Sequence, residues 1–386
     1  MTNNSENGCI LFVSAYPPDK GRASCYAQTY VETVVKSYKV KFTLLVDSEL
    51  AEVSSRLVTF KTAWRVNNIL SILALWMRVV FSKSKLAHFN LCLTTFGRGR
   101  IINFLGLLSV FWAKLSGKKV VVTLHNVHES ATLEMCGLRD TFLNRLGLLL
   151  ATKLLIIFSD AVIVLVRLYK YILEKRYGAK NVHFIPHGAW FLTDKPTYKV
   201  HNDDNKLRVL FLGYIARYKD LQLLAEVISE IKDAELLISG DLHPNDVEGA
   251  RRFLLELLKN EKVRYLGYVK DEDLPSLIAR IDVVFLPYLM SPGTSGVVHL
   301  LSGLGSPFIA YPTPEMKELV NEGAGIILVN RDKELIKKTL IEFKRNTRLR
   351  AELSSKSRAF AERRAWSNVA KEYLKIYSKV LGSLVV

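Results

Sequence analysis

Short apolar runs alternate with stretches of helical periodicity along the whole chain. The runs are too continuously apolar to be strands with one face in water. The first, residues 9–15 (CILFVSA), precedes a polar loop at 16–24 (YPPDKGRAS) and helical spacing over 26–36. Further runs at 40–46 (VKFTLLV), 119–124 (KVVVTL), 161–166 (AVIVLV) and 181–186 (NVHFIP) predict more strands of the same kind. Strands buried on both faces and separated by helices predict a parallel sheet covered on each side.

A second series repeats this plan. Residues 193–206 (TDKPTYKVHNDDNK) are polar, contain Pro196 and lack apolar periodicity, so a linker is predicted over 191–206. Beyond it, strands are predicted at 207–212, 235–239, 263–266, 283–286, 308–310 and 326–329, and helices at 221–231, 250–258 and 296–304. A chain of 386 residues exceeds one ordinary core. The expectation is an α/β protein of two tandem doubly wound domains, 1–190 and 207–365, with a terminal helix at 366–386 returning to the first. Such sheets bind ligands beyond the C-terminal ends of their strands, and the cleft between the domains is the expected active site.

Charge distinguishes the halves. The net charge is +17, and residues 1–190 carry 24 Lys and Arg against 11 Asp and Glu, a net of +13. A basic face suits nucleic acid, anionic lipid or phosphorylated ligands. No helix-turn-helix, zinc-finger or RNA-stacking signature accompanies it, so nucleic acid is not the expected partner. The same half holds three apolar stretches, 63–81, 101–113 and 146–166. The last is interrupted by Lys153 and Asp160, which predicts a helix ending near Ser159 and a strand after Asp160. These stretches fit core helices, or a surface resting on an anionic membrane. The polar opening MTNNSENG lacks an export pattern, so a cytoplasmic protein is expected, at most peripheral on the membrane's inner face. Cys9, Cys25, Cys92 and Cys136 show no C-x-x-C pair or zinc spacing, so reduced thiols and no metal site are expected.

Four strand-end segments carry candidate chemistry. The loop at 17–24 precedes a helix, where free N–H groups attract an anion, and Gly21 permits close approach. Residues 123–129 (TLHNVHE) follow a strand and gather His125, Asn126, His128 and Glu129, suited to sugar hydroxyls or proton transfer. Residues 213–220 (GYIARYKD) place Arg217 and Lys219 after Gly213, a fork and a point charge for a diphosphate. Residues 292–298 (PGTSGVV) lead into a helix with Ser295 as predicted N-cap and the N–H groups of Gly296, Val297 and Val298 open to phosphate oxygens.

Taken together, these segments resemble the retaining glycosyltransferases of the GT-B fold, in the large family usually numbered four. The resemblance rests on the PPDKG loop, TLHN at 123–126, IPHG at 185–188, GYIARYKD, the run LGYVKDEDLPSLIARIDVVFLPY at 266–288, and the tail from Trp366 (WSNVAKEYLKIYSKVL). It implies two Rossmann-like domains and metal-independent transfer from a nucleotide sugar, with no cofactor. It places His125 on the transferred sugar and Lys219 on the diphosphate. The family usually carries two glutamates with seven residues between them in the donor loop; here Pro292 and Leu300 occupy those positions, and the segment looks like a subgroup with Ser295-Gly296-Val297 instead. Sugar recognition then falls to other residues, with Glu315 a candidate. Tyr214 stands where an arginine is common, and Arg217 supplies that charge.

The resulting expectation is a hexosyltransferase-like enzyme of glycan biosynthesis, with a glycan or lipid-linked acceptor on the basic first domain. Arg217, Lys219 and helix-start amides would stabilise the leaving nucleoside diphosphate. Two alternatives stand beside it: a sugar-nucleotide epimerase of the same fold, and a non-catalytic nucleotide-sugar-binding or scaffold protein. Turnover of a nucleotide sugar separates all three.

Overall fold

The computed structural model describes residues 9–18, 22–47, 55–97, 99–127, 141–199, 206–244, 246–290 and 293–383. The chain forms two compact units. The first comprises Met1–His187, Pro292–Thr294 and Trp366–Val386, and the second Gly188–Ser291 and Ser295–Ala365.

In the first unit the elements run β1 (Cys9–Ser14), α1 (Arg22–Tyr38), β2 (Lys41–Val46), β3 (Val58–Thr62), α2 (Ile69–Val80), β4 (Leu86–Leu91), α3 (Arg100–Leu107), α4 (Ser109–Leu115), β5 (Lys119–Leu124), α5 (Phe142–Ile157), β6 (Ala161–Val164), α6 (Arg167–Tyr177) and β7 (Val182–Phe184). The strands make one parallel sheet in the order β3-β2-β1-β4-β5-β6-β7. The 101–113 stretch divides at Leu108 into two helices. The 63–81 stretch turns helical only at Ile69, where the Asn68 side chain accepts from the Ser71 N–H. The pattern missed two strands. β4 (LAHFNL) is buried throughout although His88 and Asn90 interrupt its apolar run, and β3 is a half-buried edge.

The polar residues of β4 have buried partners. In register, His88 lies beside Phe12 and Asn90 beside Ser14. A helix from the end of the chain, Trp366–Leu381, belongs to this unit and packs beside α1. Its tyrosines complete a buried chain of hydrogen bonds. The Tyr30 hydroxyl donates to Tyr377 at 2.7 Å, and the Tyr377 hydroxyl lies 2.5 Å from His88 Nδ1. His88 Nε2 lies 2.8 Å from Thr123 Oγ1, which is 3.0 Å from the Tyr373 hydroxyl, itself 2.8 Å from that of Tyr26. Burial, with a lesser contribution from His125, pushes the His88 imidazole down to about 3. A neutral ring donates through one nitrogen and accepts through the other, which is what a continuous chain requires.

The second unit runs β8 (Leu207–Leu212), α7 (Leu221–Glu230), β9 (Ala234–Ser239), α8 (Val247–Leu257), β10 (Val263–Gly267), α9 (Leu274–Ile278), β11 (Val283–Leu286), α10 (Gly296–Leu301), β12 (Phe308–Ala310), α11 (Pro314–Asn321), β13 (Ile326–Leu328), α12 (Lys333–Arg345) and α13 (Thr347–Arg363); the terminal helix of the first unit is α14. Its parallel sheet has the order β10-β9-β8-β11-β12-β13. In both units the strand order reverses direction beside the first strand, the doubly wound pattern. Asp282, buried at the start of β11, accepts from the Arg208 N–H at 2.8 Å and from the Arg350 guanidinium at 2.9 Å, tying α13 to the sheet.

The described part of the polar stretch 191–206 is not a free linker. Tyr198 is buried in the second core and donates to the Asp282 carbonyl at 2.8 Å. The N–H groups of Thr197 and Tyr198 both reach the Leu304 carbonyl. Sequence polarity concealed this because the stretch packs through one aromatic ring and its backbone.

Tyr377→Phe, which removes the donor to His88, is expected to cost about 1–3 kcal/mol of stability. His88 also makes stability depend on pH. The unfolded chain takes up a proton near 6.5 and the folded one only near 3, so stability is full above about 6.5 and is lost as pH falls through this window. Urea unfolding from about pH 7 to 4 checks this: the slope against pH should be shallower in His88→Gln.

Candidate active site

Within the second unit, candidate side chains gather where β8, β9, β11 and β12 end. Gly213 follows β8 with φ 138° and Gly240 follows β9 with φ 137°, a region L-residues avoid. The Gly213 N–H donates to the Ser239 carbonyl at 2.9 Å, and a Cβ on Gly240 would lie 2.0 Å from the Gly213 carbonyl oxygen. The two glycines therefore let the loops after β8 and β9 lie directly against each other.

Beyond Gly213 the chain makes a 3-10 turn, Arg217–Lys219, and enters α7 through Asp220 in the left-handed region, φ 43°. Asp220 is held from two sides. Its Oδ2 accepts from the Tyr311 hydroxyl at 2.9 Å and from Arg331 Nε at 2.8 Å, and its Oδ1 from a second Arg331 nitrogen at 3.2 Å. This clamp fixes the residue after Lys219, so the lysine leaves a rigid point of backbone.

Lys219 is half-buried, and rings enclose its ammonium: Tyr288, just after β11, at 3.3 Å from the ring centroid, and Tyr218 at 5.0 Å. Burial pushes it down to about 7 against the opposing pull of Glu315, a buried residue in the first turn of α11. Burial also raises the Tyr288 phenol, with smaller contributions from Tyr218 and Glu315. Lys219, Tyr288 and Glu315 thus form one cluster, though the sequence supplied only the first and third.

Arg217 goes elsewhere. It is exposed, with its guanidinium 5.9 Å from the Phe253 ring on α8. The two cations expected as one clamp therefore occupy different environments. His243, in the loop after β9, lies 5.8 Å from the Tyr214 ring and 5.9 Å from Tyr218, and burial lowers its pKa with a further contribution from Lys219. His243 and Tyr288 both obey the strand-end rule used for the other segments, and Gly240-Asp241 after β9 was the signal that could have found His243.

At α10, Ser295 occupies the N-cap position, but its buried hydroxyl makes no capping bond. The capping role expected for it is not formed. The N–H groups of Gly296, Val297 and Val298 begin the helix and have no acceptor within it, while the Val298 side chain is in the core. Leu300, where the resembled family carries its second glutamate, is fully buried in that core.

In the first unit, Ser14 ends β1, Asn90 lies on β4 and His125 follows β5. Asn90 Nδ2 donates to Ser14 Oγ at 2.9 Å, and its Oδ1 lies 2.8 Å from His125 Nε2. Nε2 therefore carries the proton, and Nδ1 is left as the acceptor. Burial pushes the ring down to about 4, so His125 is neutral near pH 7. Tyr26 supports it edge-on at 4.9 Å between ring centroids. The Asn126 side chain accepts from the Leu93 N–H at 3.1 Å, which commits its amide oxygen to the loop after β4. Gly21, His128, Glu129 and Pro292 lie outside the described residues. Among the described residues no three His, Cys, Asp or Glu side chains converge as a metal-ligand set.

Residues 206–346 match the family profile described as Glycosyl transferases group 1, and they contain Lys219, Tyr288 and Glu315. No curated protein matches the sequence. Among solved structures, the chain is similar to the sucrose-phosphate synthase of Thermosynechococcus elongatus, with 15% identity over 97% of this chain and 99% of that one, TM-score 0.77. It is similar to the Anabaena protein HepE in complex with UDP-glucose, with 16% identity over 96% and 99%, TM-score 0.72. A glycosyltransferase of Rickettsia africae matches with 14% identity over 98% and 99%, TM-score 0.67. The second unit thus carries a glycosyl transferases group 1 domain, and the fold is the tandem Rossmann-like fold of the GT-B class.

The enclosed lysine has a measurable signature. The unfolded chain keeps the Lys219 proton to about 10.4 and the folded one loses it near 7, so stability should rise with pH across this window. Thermal unfolding between about pH 7 and 9.5 should show that rise in the native protein and a weaker one in Lys219→Met.

Proposed function

We propose that the protein transfers a sugar from a nucleotide-sugar donor to a glycan or lipid-linked acceptor, with retention of configuration and without a metal. The observation that carries this reading is the Lys219–Tyr288–Glu315 cluster, inside the segment that matches the glycosyl transferases group 1 profile. The Lys219 ammonium is a point charge in a poorly solvated place, where it stabilises the departing diphosphate more strongly than in water. The open amides at the start of α10 supply further donors. Glu315, at the same cluster, is a carboxylate suited to sugar hydroxyls and takes over from the missing paired glutamates. UDP-glucose bound to HepE, a protein of the same fold, supports a nucleotide-sugar donor. His125, neutral and fixed by Asn90, offers Nδ1 to a hydroxyl of the transferred sugar.

Calorimetry with UDP, ADP and GDP tests the donor site. Lys219→Ala should weaken binding of the preferred diphosphate by about 1.5–3 kcal/mol, the scale of a hydrogen bond to a charged group. Arg217→Ala, at an exposed position, should cost under about 1 kcal/mol. Affinity should also fall as pH rises above about 7, because the anion needs the protonated lysine, and Lys219→Arg should remove that fall. Equal losses in Lys219→Ala and Arg217→Ala would return the arginine to the phosphate site.

Turnover of nucleotide sugars tests the reaction, and NMR of the product anomer tests retention. His125→Ala should lower the rate by about a hundredfold or more while leaving diphosphate binding within about threefold. A rate unchanged in His125→Ala would remove the histidine from the reaction.

A further inference from the structure

Among the helices that cover one face of the first sheet, α2, α3 and α5 are apolar on both of their own faces. On α2, Ile72, Leu75 and Val79 are buried toward the sheet. Leu70, Leu73, Met77 and then Phe81 form a second stripe at the same helical spacing, and all four are exposed, Leu70 by 77% and Phe81 by 72%. On α5, Ala151, Leu155 and Ile156 face inward, whereas Leu143, Leu146, Leu150 and Ile157 face water in one line and Phe142 at the helix start is also exposed. Ile101 and Phe104 of α3 are exposed between them, since α3 packs against both α2 and α5. A groove of about 260 Å³, lined by Ile101, Phe104, Leu143 and Leu148, opens where α3 meets α5.

A helix in water normally keeps one face polar. Here the exposed faces form a contiguous apolar surface, which marks an interaction site.

The charges around this surface identify its partner. Helices α2, α3 and α5 carry four charged side chains, Arg78, Arg100, Arg145 and Lys153, and all are cationic. Between Glu52 and Glu129 the sequence contains 11 Lys and Arg and no acidic residue. A protein interface has a polar, solvent-accessible rim. Apolar stripes on helices whose own charges are all cationic match an anionic bilayer, whose acyl chains take the side chains and whose phosphates take the cations. Lys153 lies on the exposed line of α5 itself, where its long stem lets the ammonium reach the headgroups. Among the described residues no helix is long and apolar enough to cross a membrane, so the contact is with the surface layer.

We infer that the α2–α3–α5 face of the first unit docks on the surface of an anionic lipid bilayer, with Leu70, Phe81, Ile101, Phe104 and Phe142 entering the headgroup layer. The docking stands on this surface alone. Only its consequence, that the sugar acceptor is presented from lipid, rests on the glycosyl-transfer reading.

The test is sedimentation of the whole protein with vesicles of phosphatidylcholine alone and of phosphatidylcholine mixed with phosphatidylglycerol, across a salt series. Binding is expected on the mixed vesicles, weakened but not abolished by high salt. Leu70→Glu with Phe142→Glu should lower it by more than about tenfold, since burying each side chain is worth about that factor. Arg100→Gln with Lys153→Gln should lower binding mainly at low salt. Diphosphate calorimetry on the same variants should be unchanged, which shows that they are folded and keeps this result separate from the donor site. Absence of binding to mixed vesicles at low salt would overturn the proposal. So would binding that Leu70→Glu with Phe142→Glu leaves intact. Self-association abolished by those substitutions, without vesicle binding, would overturn it in favour of a second copy of the chain on this face.

Discussion

Every strand in both sheets runs in the same direction, and most of the molecule follows from that constraint. A parallel strand cannot be reached by a tight turn, so each connection crosses over the sheet, usually as a helix. Both faces are then covered, and the strand ends that leave toward helix starts all lie along one edge. Where the order reverses, beside β1 in one unit and beside β8 in the other, neighbouring loops leave in opposite directions and open a crevice. The candidate residues occupy these two positions: Ser14, Asn90 and His125 in the first unit, Gly213, Lys219 and Tyr288 in the second.

Burial then selects how polar groups behave. His88 and His125 are both driven toward the neutral form, yet their surroundings differ. His88 has both nitrogens engaged, by Tyr377 and Thr123, and serves to join α14 to the sheet. His125 has one nitrogen engaged by Asn90, and in the proposed reaction the other faces the transferred sugar. In the second unit, Asp220 is saturated by Arg331 and Tyr311 and anchors the turn. Lys219, one residue earlier, is enclosed by rings and has no carboxylate bonded to it among the described residues. In each pair, the saturated group supports the structure, and its neighbour is the one to which the proposed function gives a role.

The outer helices of the first unit follow a different logic. The sheet requires only one apolar face from each, and α2, α3 and α5 carry more than that. The excess is not needed by the fold, and the charge that accompanies it has a single sign. A glycosyltransferase whose acceptor is carried in lipid must work beside a bilayer, so surface and proposed reaction are mutually consistent.

The sequence by itself determined the two-unit α/β plan, because buried parallel strands need continuous apolar runs and such runs are visible without neighbours. Strands 207–212, 283–286 and 308–310 were legible residue for residue. It also marked Lys219, Glu315 and His125, since charged or ring residues at strand ends and helix starts stand out against apolar surroundings. It did not show β4, whose His88 and Asn90 break the pattern and are tolerated only because distant Tyr377, Thr123 and Ser14 satisfy them. It paired Arg217 with Lys219 as one clamp, yet a 3-10 turn points the first at Phe253 and the second at Tyr288. It read 191–206 as a linker, whereas Tyr198 is held in the second core by the Asp282 carbonyl. The apolar helices of the first unit were legible as apolar but not as inside or outside. Periodicity fixes which residues share a helix face, and only the packing of one helix on another decides which face meets the core and which meets water.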